Sequence, residues 1–147
     1  MHNIPDPIIT KVTYNTQVEK VWEALTELRQ MQKWYFEMLE SFEAKVGFKT
    51  SFIVMVEDRK YTHQWEVTEV KTNQKIVYNW NIEEYDGASY SMFELKDKGN
   101  QTCLICTSVV TKPFPVHIPE FKRESGVQGW NFLLKKRLTE YLDNNVK

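Results

Sequence analysis

The sequence predicts an α+β fold of the helix-grip type, in which a curved antiparallel sheet of about seven strands wraps on a long C-terminal helix, with two short helices after the first strand. Three observations predict it. Alternating apolar and polar residues recur through the middle of the chain, the connections between these segments are short, and the chain closes on one long helical repeat of apolar residues.

Ile8 to Tyr14 reads as the first strand, with Ile8, Thr10, Val12 and Tyr14 on one face and Lys11 and Thr13 on the other. Thr16 and Glu19 have the spacing of a capping box, in which hydroxyl and carboxylate satisfy reciprocal backbone N–H groups. Val18, Val21, Trp22 and Leu25 then recur at helical spacing, and Leu28, Met31, Trp34 and Tyr35 suggest a second short helix. The inward faces of the following strands are marked by Phe52, Val54 and Val56, by Tyr61, His63, Trp65 and Val67, and by Ile76, Tyr78, Trp80 and Ile82. Phe93 with Leu95, and Leu104, Cys106 and Val110, continue the pattern. One apolar and one mixed face suit a sheet that is packed on one side only.

Lys112 to Pro119 holds three prolines and forms a stiff connector. From Phe121 to about Asp143, Val127, Trp130, Leu134, Leu138, Tyr141 and Leu142 follow a helical repeat, long enough for roughly 35 Å. Gly126 and Gly129 in its first half imply either a kink or a late start behind a mobile lid. A sheet with one apolar face must be covered, and this helix is the element long enough to do it. A curved sheet and a straight helix cannot touch everywhere. The gap between them is the expected place of function.

The chain of 147 residues is expected to form one domain over 1–147. Its net charge of -1 gives no electrostatic reason for a nucleic-acid partner, and Arg29 with Lys33 is too little charge for a DNA-reading helix. The Lys135–Lys136–Arg137 cluster reads as a solvated helix face. Met1 to Pro5 lacks the basic start and apolar run of a signal peptide, and no apolar stretch approaches the ~20 residues of a membrane span, so the cytoplasm is the expected compartment. Cys103 and Cys106 lie three apart on a strand and point to opposite faces, which argues against a shared metal or a disulfide and for one thiol inside and one outside. No phosphate loop, Ser-His-Asp order or metal-ligand cluster is found, and no catalytic residue, metal or cofactor is assigned.

Several local motifs also resemble those of a known family. Val18-Glu19-Lys20-Val21-Trp22-Glu23-Ala24-Leu25-Thr26 resembles its first helix, and Lys33-Trp34-Tyr35 the end of its second. Gly47-Phe48, Glu69-Val70, Lys75-Ile76-Val77-Tyr78-Asn79-Trp80, Gly129-Trp130, Leu134 and Tyr141-Leu142 follow in matching order over nearly the whole chain. The family is the START/Bet v-like (SRPBCC) superfamily, in its activator of heat shock protein 90 ATPase homologue-like branch. The resemblance implies a START-like domain that binds hydrophobic small molecules, with contact to a chaperone as a further option. In two places this sequence departs from the branch: Thr72-Asn73 replaces a pair of prolines, and Trp65 stands where the branch often has glycine, so that an indole fills part of the cavity.

The expected cavity wall is Trp34, Trp65, Val67, Tyr78, Trp80, Phe93, Leu104, Trp130 and Leu134, residues that could equally fill a core. His63 is a candidate acid-base residue or an ordinary strand histidine. A dyad with Glu69 is excluded, because six strand residues span ~20 Å. Glu69 either faces inward or braces its hairpin, and His117 sits in the connector at the expected mouth. The expected function is carriage or sensing of a hydrophobic or aromatic small molecule. A cyclase- or hydrolase-like enzyme is the alternative, as is an interaction module that pairs with a chaperone or a second copy through Ile53, Met55 and Ile105.

Overall fold

The structure, a computed structural model, describes residues 4–115 and 117–145. Strands β1 (Ile8–Tyr14), β2 (Lys49–Val56), β3 (Arg59–Lys71), β4 (Lys75–Ile82), β5 (Ala88–Asp97) and β6 (Thr102–Lys112) form one antiparallel sheet in the order β1-β6-β5-β4-β3-β2. Helices α1 (Val18–Thr26) and α2 (Leu28–Trp34) follow β1. After β6 come a 3₁₀ turn (Pro119–Phe121), α3 (Arg123–Trp130), a π-helical segment (Asn131–Arg137) and α4 (Leu138–Asn145), the last three running on as the C-terminal helix. The α+β fold is the one the sequence predicts, with six strands among the described residues instead of about seven. β3 and β6 are the longest strands, at 13 and 11 residues. Curvature is absorbed by irregularities at Val67/Glu69 and Ala88/Ser89 and not by breaks.

The apolar face of the sheet packs on α1, α2 and the C-terminal helix. Val21, Met31, Trp34, Leu134 and Leu138 meet Trp65, Tyr78, Phe93 and Leu104 in one buried cluster. Trp34 Nε1–H donates to the Ala24 carbonyl at 2.7 Å and locks α2 onto α1. The Tyr14 hydroxyl donates to the Leu134 carbonyl at 2.7 Å and so ties β1 to the π-helical segment, where the ordinary backbone ladder is interrupted. Burial drives the pKa of this phenol upward, which keeps it a donor.

Three local expectations are corrected, and of the two readings of Glu69 the hairpin brace is the one that holds. The Thr16–Glu19 capping box does not form. Gln17 occupies the cap position, one residue later than the spacing requires, and the Thr16 carbonyl accepts from the Thr102 hydroxyl at 2.8 Å. Glu69 does not continue the inward face of His63, Trp65 and Val67, because the bulge after Val67 inverts the alternation. Val70 packs on the core instead, and Glu69 reaches Lys75 across the β3–β4 hairpin at 3.3 Å. Both cysteines are buried and free, although the alternation of β6 points them to opposite faces. The C-terminal helix begins at Arg123, not Phe121, and Pro119 opens the separate 3₁₀ turn before it.

Candidate functional site

A cavity of about 480 Å³ lies between α3 and the sheet, toward the proline-rich connector. It exists because small side chains face each other. α3 presents Gly126, Gly129 and Trp130 to it, and the π-helical segment adds Leu133. On the sheet, Ser91 pairs with Ser108, two residues along from the Phe93–Cys106 pair, so the floor drops from phenyl to hydroxymethyl. A Cβ on Gly129 would meet nothing within 4 Å, whereas one on Gly126 would come to 2.9 Å from Ile8 Cδ1. Gly126 therefore lets the helix approach β1, and Gly129 leaves space open.

The connector-side wall is aromatic. Phe114 stacks on Phe121 at 4.9 Å, and Phe121 meets Tyr61 and Tyr85 edge-on at 5.7 and 5.1 Å. Gly87, at φ +132°, accommodates the Phe114 ring, which would lie 2.4 Å from a Cβ there. Glu120 pins the 3₁₀ turn to β3, accepting from Arg59 Nε at 2.8 Å and from the Tyr61 hydroxyl on the same oxygen. The Arg59 hydrogen bond holds the Glu120 carboxyl below its usual range, while burial, aided by Glu120, pushes the Tyr61 phenol up to about 12. Arg123, at the start of α3, donates to the Asp6 and Pro7 carbonyls and anchors the N-terminal segment, whose Pro5, Asp6 and Ile8 complete the wall.

His63 also lines the cavity. Its ring stacks on Phe52 at 4.9 Å and 8°, and its Nδ1 accepts from Trp80 Nε1–H at 2.6 Å. Burial lowers its pKa to about 4, the nearby Glu84 opposing only weakly. The ring is therefore neutral near pH 7, with its proton on Nε2 and its lone pair already used. It can donate a hydrogen bond to a guest, but it has no free lone pair with which to remove a proton. His117 is exposed in the connector.

Of the nine expected wall residues, the structure brings Trp80 and Trp130 to the cavity. Trp34, Trp65, Val67, Tyr78, Phe93, Leu104 and Leu134 are packed in the core beside it. Trp65 sits among Tyr78, Phe52 and Trp80 at 4.6, 4.9 and 5.1 Å, and its Nε1 is buried without a hydrogen-bond partner among the described residues. Tyr78 shares a 2.8 Å hydrogen bond with Tyr35, and burial raises both phenols. The large aromatics close the middle of the sheet, and the space opens where they give way to serine and glycine. Sequence reasoning missed Phe36, Ser91, Ser108, Phe114 and Phe121. The available signal was the pair of serines in inward register with Phe93 and Cys106, set against glycines inside a helix.

Among the described residues, no group of three or more His, Cys, Asp or Glu is placed to hold a metal, and no helix is long and apolar enough to cross a membrane. Ile53 and Met55 are exposed on the edge strand β2, while Ile105 is half-buried.

Solved structures share this fold. A Mesorhizobium loti protein superposes with a TM-score of 0.76 at 22% identity, over 96% of this chain and 99% of its own. A Chromobacterium violaceum protein gives 0.74 at 19% identity, over 93% and 96%. DynU16, a protein from the dynemicin biosynthetic locus, gives 0.73 at 21% identity over 95% of this chain, which spans 48% of DynU16. No curated protein sequence matches the chain. The model of the family described as activator of Hsp90 ATPase homolog 1-like protein matches residues 15–143, a span that runs from the end of β1 through the cavity to the last turns of the C-terminal helix, and the chain belongs to that family.

Proposed function

We propose that this protein binds a hydrophobic or aromatic small molecule in the cavity between α3 and the sheet, as a carrier or sensor. The observation that carries the reading is the apolar cavity of about 480 Å³, within the usual range of small-molecule sites of roughly 300–1,000 Å³. Its floor and roof are held open by Ser91, Ser108 and Gly129, where larger residues would close the core. An empty apolar space forgoes dispersion contacts, and a guest restores them. His63 supports binding over turnover, because its accepting nitrogen is occupied by Trp80.

A thermal-shift screen of planar aromatics and lipids tests the proposal. At a ligand concentration of 100 times Kd, binding adds about 2.7 kcal/mol to stability and raises the Tm by several degrees. A screen in which no compound raises the Tm rejects it.

A further inference from the structure

Taking the cavity-binding reading as its basis, we propose that His63 is the specificity-determining donor of the cavity. Its Nε2–H selects planar apolar guests that carry a hydrogen-bond acceptor, such as an aryl ketone, over hydrocarbons of the same shape.

The tautomer is set by geometry. Trp80 Nε1 can only donate, and it lies 2.6 Å from His63 Nδ1, so Nδ1 must be the bare nitrogen. The proton of the neutral ring is then on Nε2. The ring is also fixed in place, stacked on Phe52 at 4.9 Å and flanked by Phe36 at 5.8 Å. Nε2–H has no hydrogen-bond partner among the described residues, and His63 is part of the cavity lining. Of the other polar groups that line the cavity, Asp6 and Lys122 are exposed, and those on the sheet are committed or distant. The Tyr61 hydroxyl donates to Glu120, and the Ser89 hydroxyl donates to the Trp80 carbonyl. Ser91 and Ser108 pair on β5 and β6, at least two strands from His63, about 10 Å across the sheet.

Water can serve Nε2–H while the cavity is empty. A guest that displaces this water without offering an acceptor leaves a donor stranded in apolar surroundings. A guest with a carbonyl at that point replaces the water. The expected discrimination is about tenfold or more in Kd.

Fluorenone and fluorene, which differ by one carbonyl, are the probes. Calorimetric titration of the full chain should show fluorenone binding about tenfold or more tighter than fluorene. H63F keeps a ring against Phe52 and should abolish the preference. H63Q, whose amide can accept from Trp80 and donate to the guest, should restore it. In the wild-type protein, which needs no variant to fold, the ¹⁵N resonance of His63 Nε2 should shift with fluorenone and stay unmoved with fluorene. Equal binding of both compounds, with Nε2 unmoved, overturns the role of His63 and leaves the cavity reading intact. Binding of neither compound overturns the role of His63 for planar guests, and the cavity reading is then decided by the wider thermal-shift screen.

Discussion

At the residue scale, His63 and the two glycines of α3 have effects that can be measured separately. His63 is neutral in the folded state down to about pH 4, against 6.5 for a free histidine. Above pH 6.5 it is neutral in both states and contributes no pH dependence. Between pH 6.5 and 4 the unfolded chain takes up a proton that the folded chain refuses, so stability falls as the pH is lowered through this window. The full loss is about 3 kcal/mol. Urea unfolding at pH 7 and pH 4 should show it, and H63Q, which has nothing to titrate, should show correspondingly less. For the glycines, G129A adds a methyl to open space and gains helix propensity, so it should stabilise by up to about 1 kcal/mol. G126A makes the same gain but pushes on Ile8, so it should stabilise less than G129A in the same assay.

At the scale of elements, two attachments hold the C-terminal helix and its approach. Tyr14 supplies a hydrogen to the Leu134 carbonyl inside the π-helical segment. Y14F removes the shorter of two hydroxyl donors to that carbonyl, the Thr139 hydroxyl remaining at 3.4 Å, and should cost about 1 kcal/mol, read as a lower urea midpoint. The Glu120 attachment holds the 3₁₀ turn over the cavity wall. Because the folded state lowers the Glu120 pKa, its contribution is present above about pH 4.5 and is lost as the pH falls below. E120Q should therefore speed amide exchange at Phe121 and Lys122, whose N–H groups close that turn, with the central strands unaffected. Unchanged exchange at those two amides would show that the aromatic contacts of Phe121 suffice alone. Most of these elements were legible in the sequence, because alternation and helical repeats follow directly from the two backbone periodicities. The bulge after Val67 was not legible. One extra residue inverts every later side chain on its strand while leaving local propensity unchanged, and so Glu69 and Val70 exchanged faces.

At the scale of the whole molecule, the cavity is a property of the packing between layers. G129F adds a phenyl at a position of the cavity lining where a Cβ meets no neighbour, and should weaken guest binding in the thermal-shift assay while the fold survives. The candidate site was only partly readable in advance. Trp80 and Trp130 could be named because both fall on inward faces. Trp65 and Tyr78 fall on inward faces just as clearly, yet Tyr35 and Phe42 pack against them from the segment after α2 and close that part of the sheet. By itself the sequence determined the order of the elements, their apolar faces and the family, since each is written in local spacing and in motifs along one line of chain. Only the tertiary structure decided where the layers fail to touch, because a void is defined by side chains that approach from opposite sides, and serine on one strand acquires that meaning only when glycine on a distant helix is set against it.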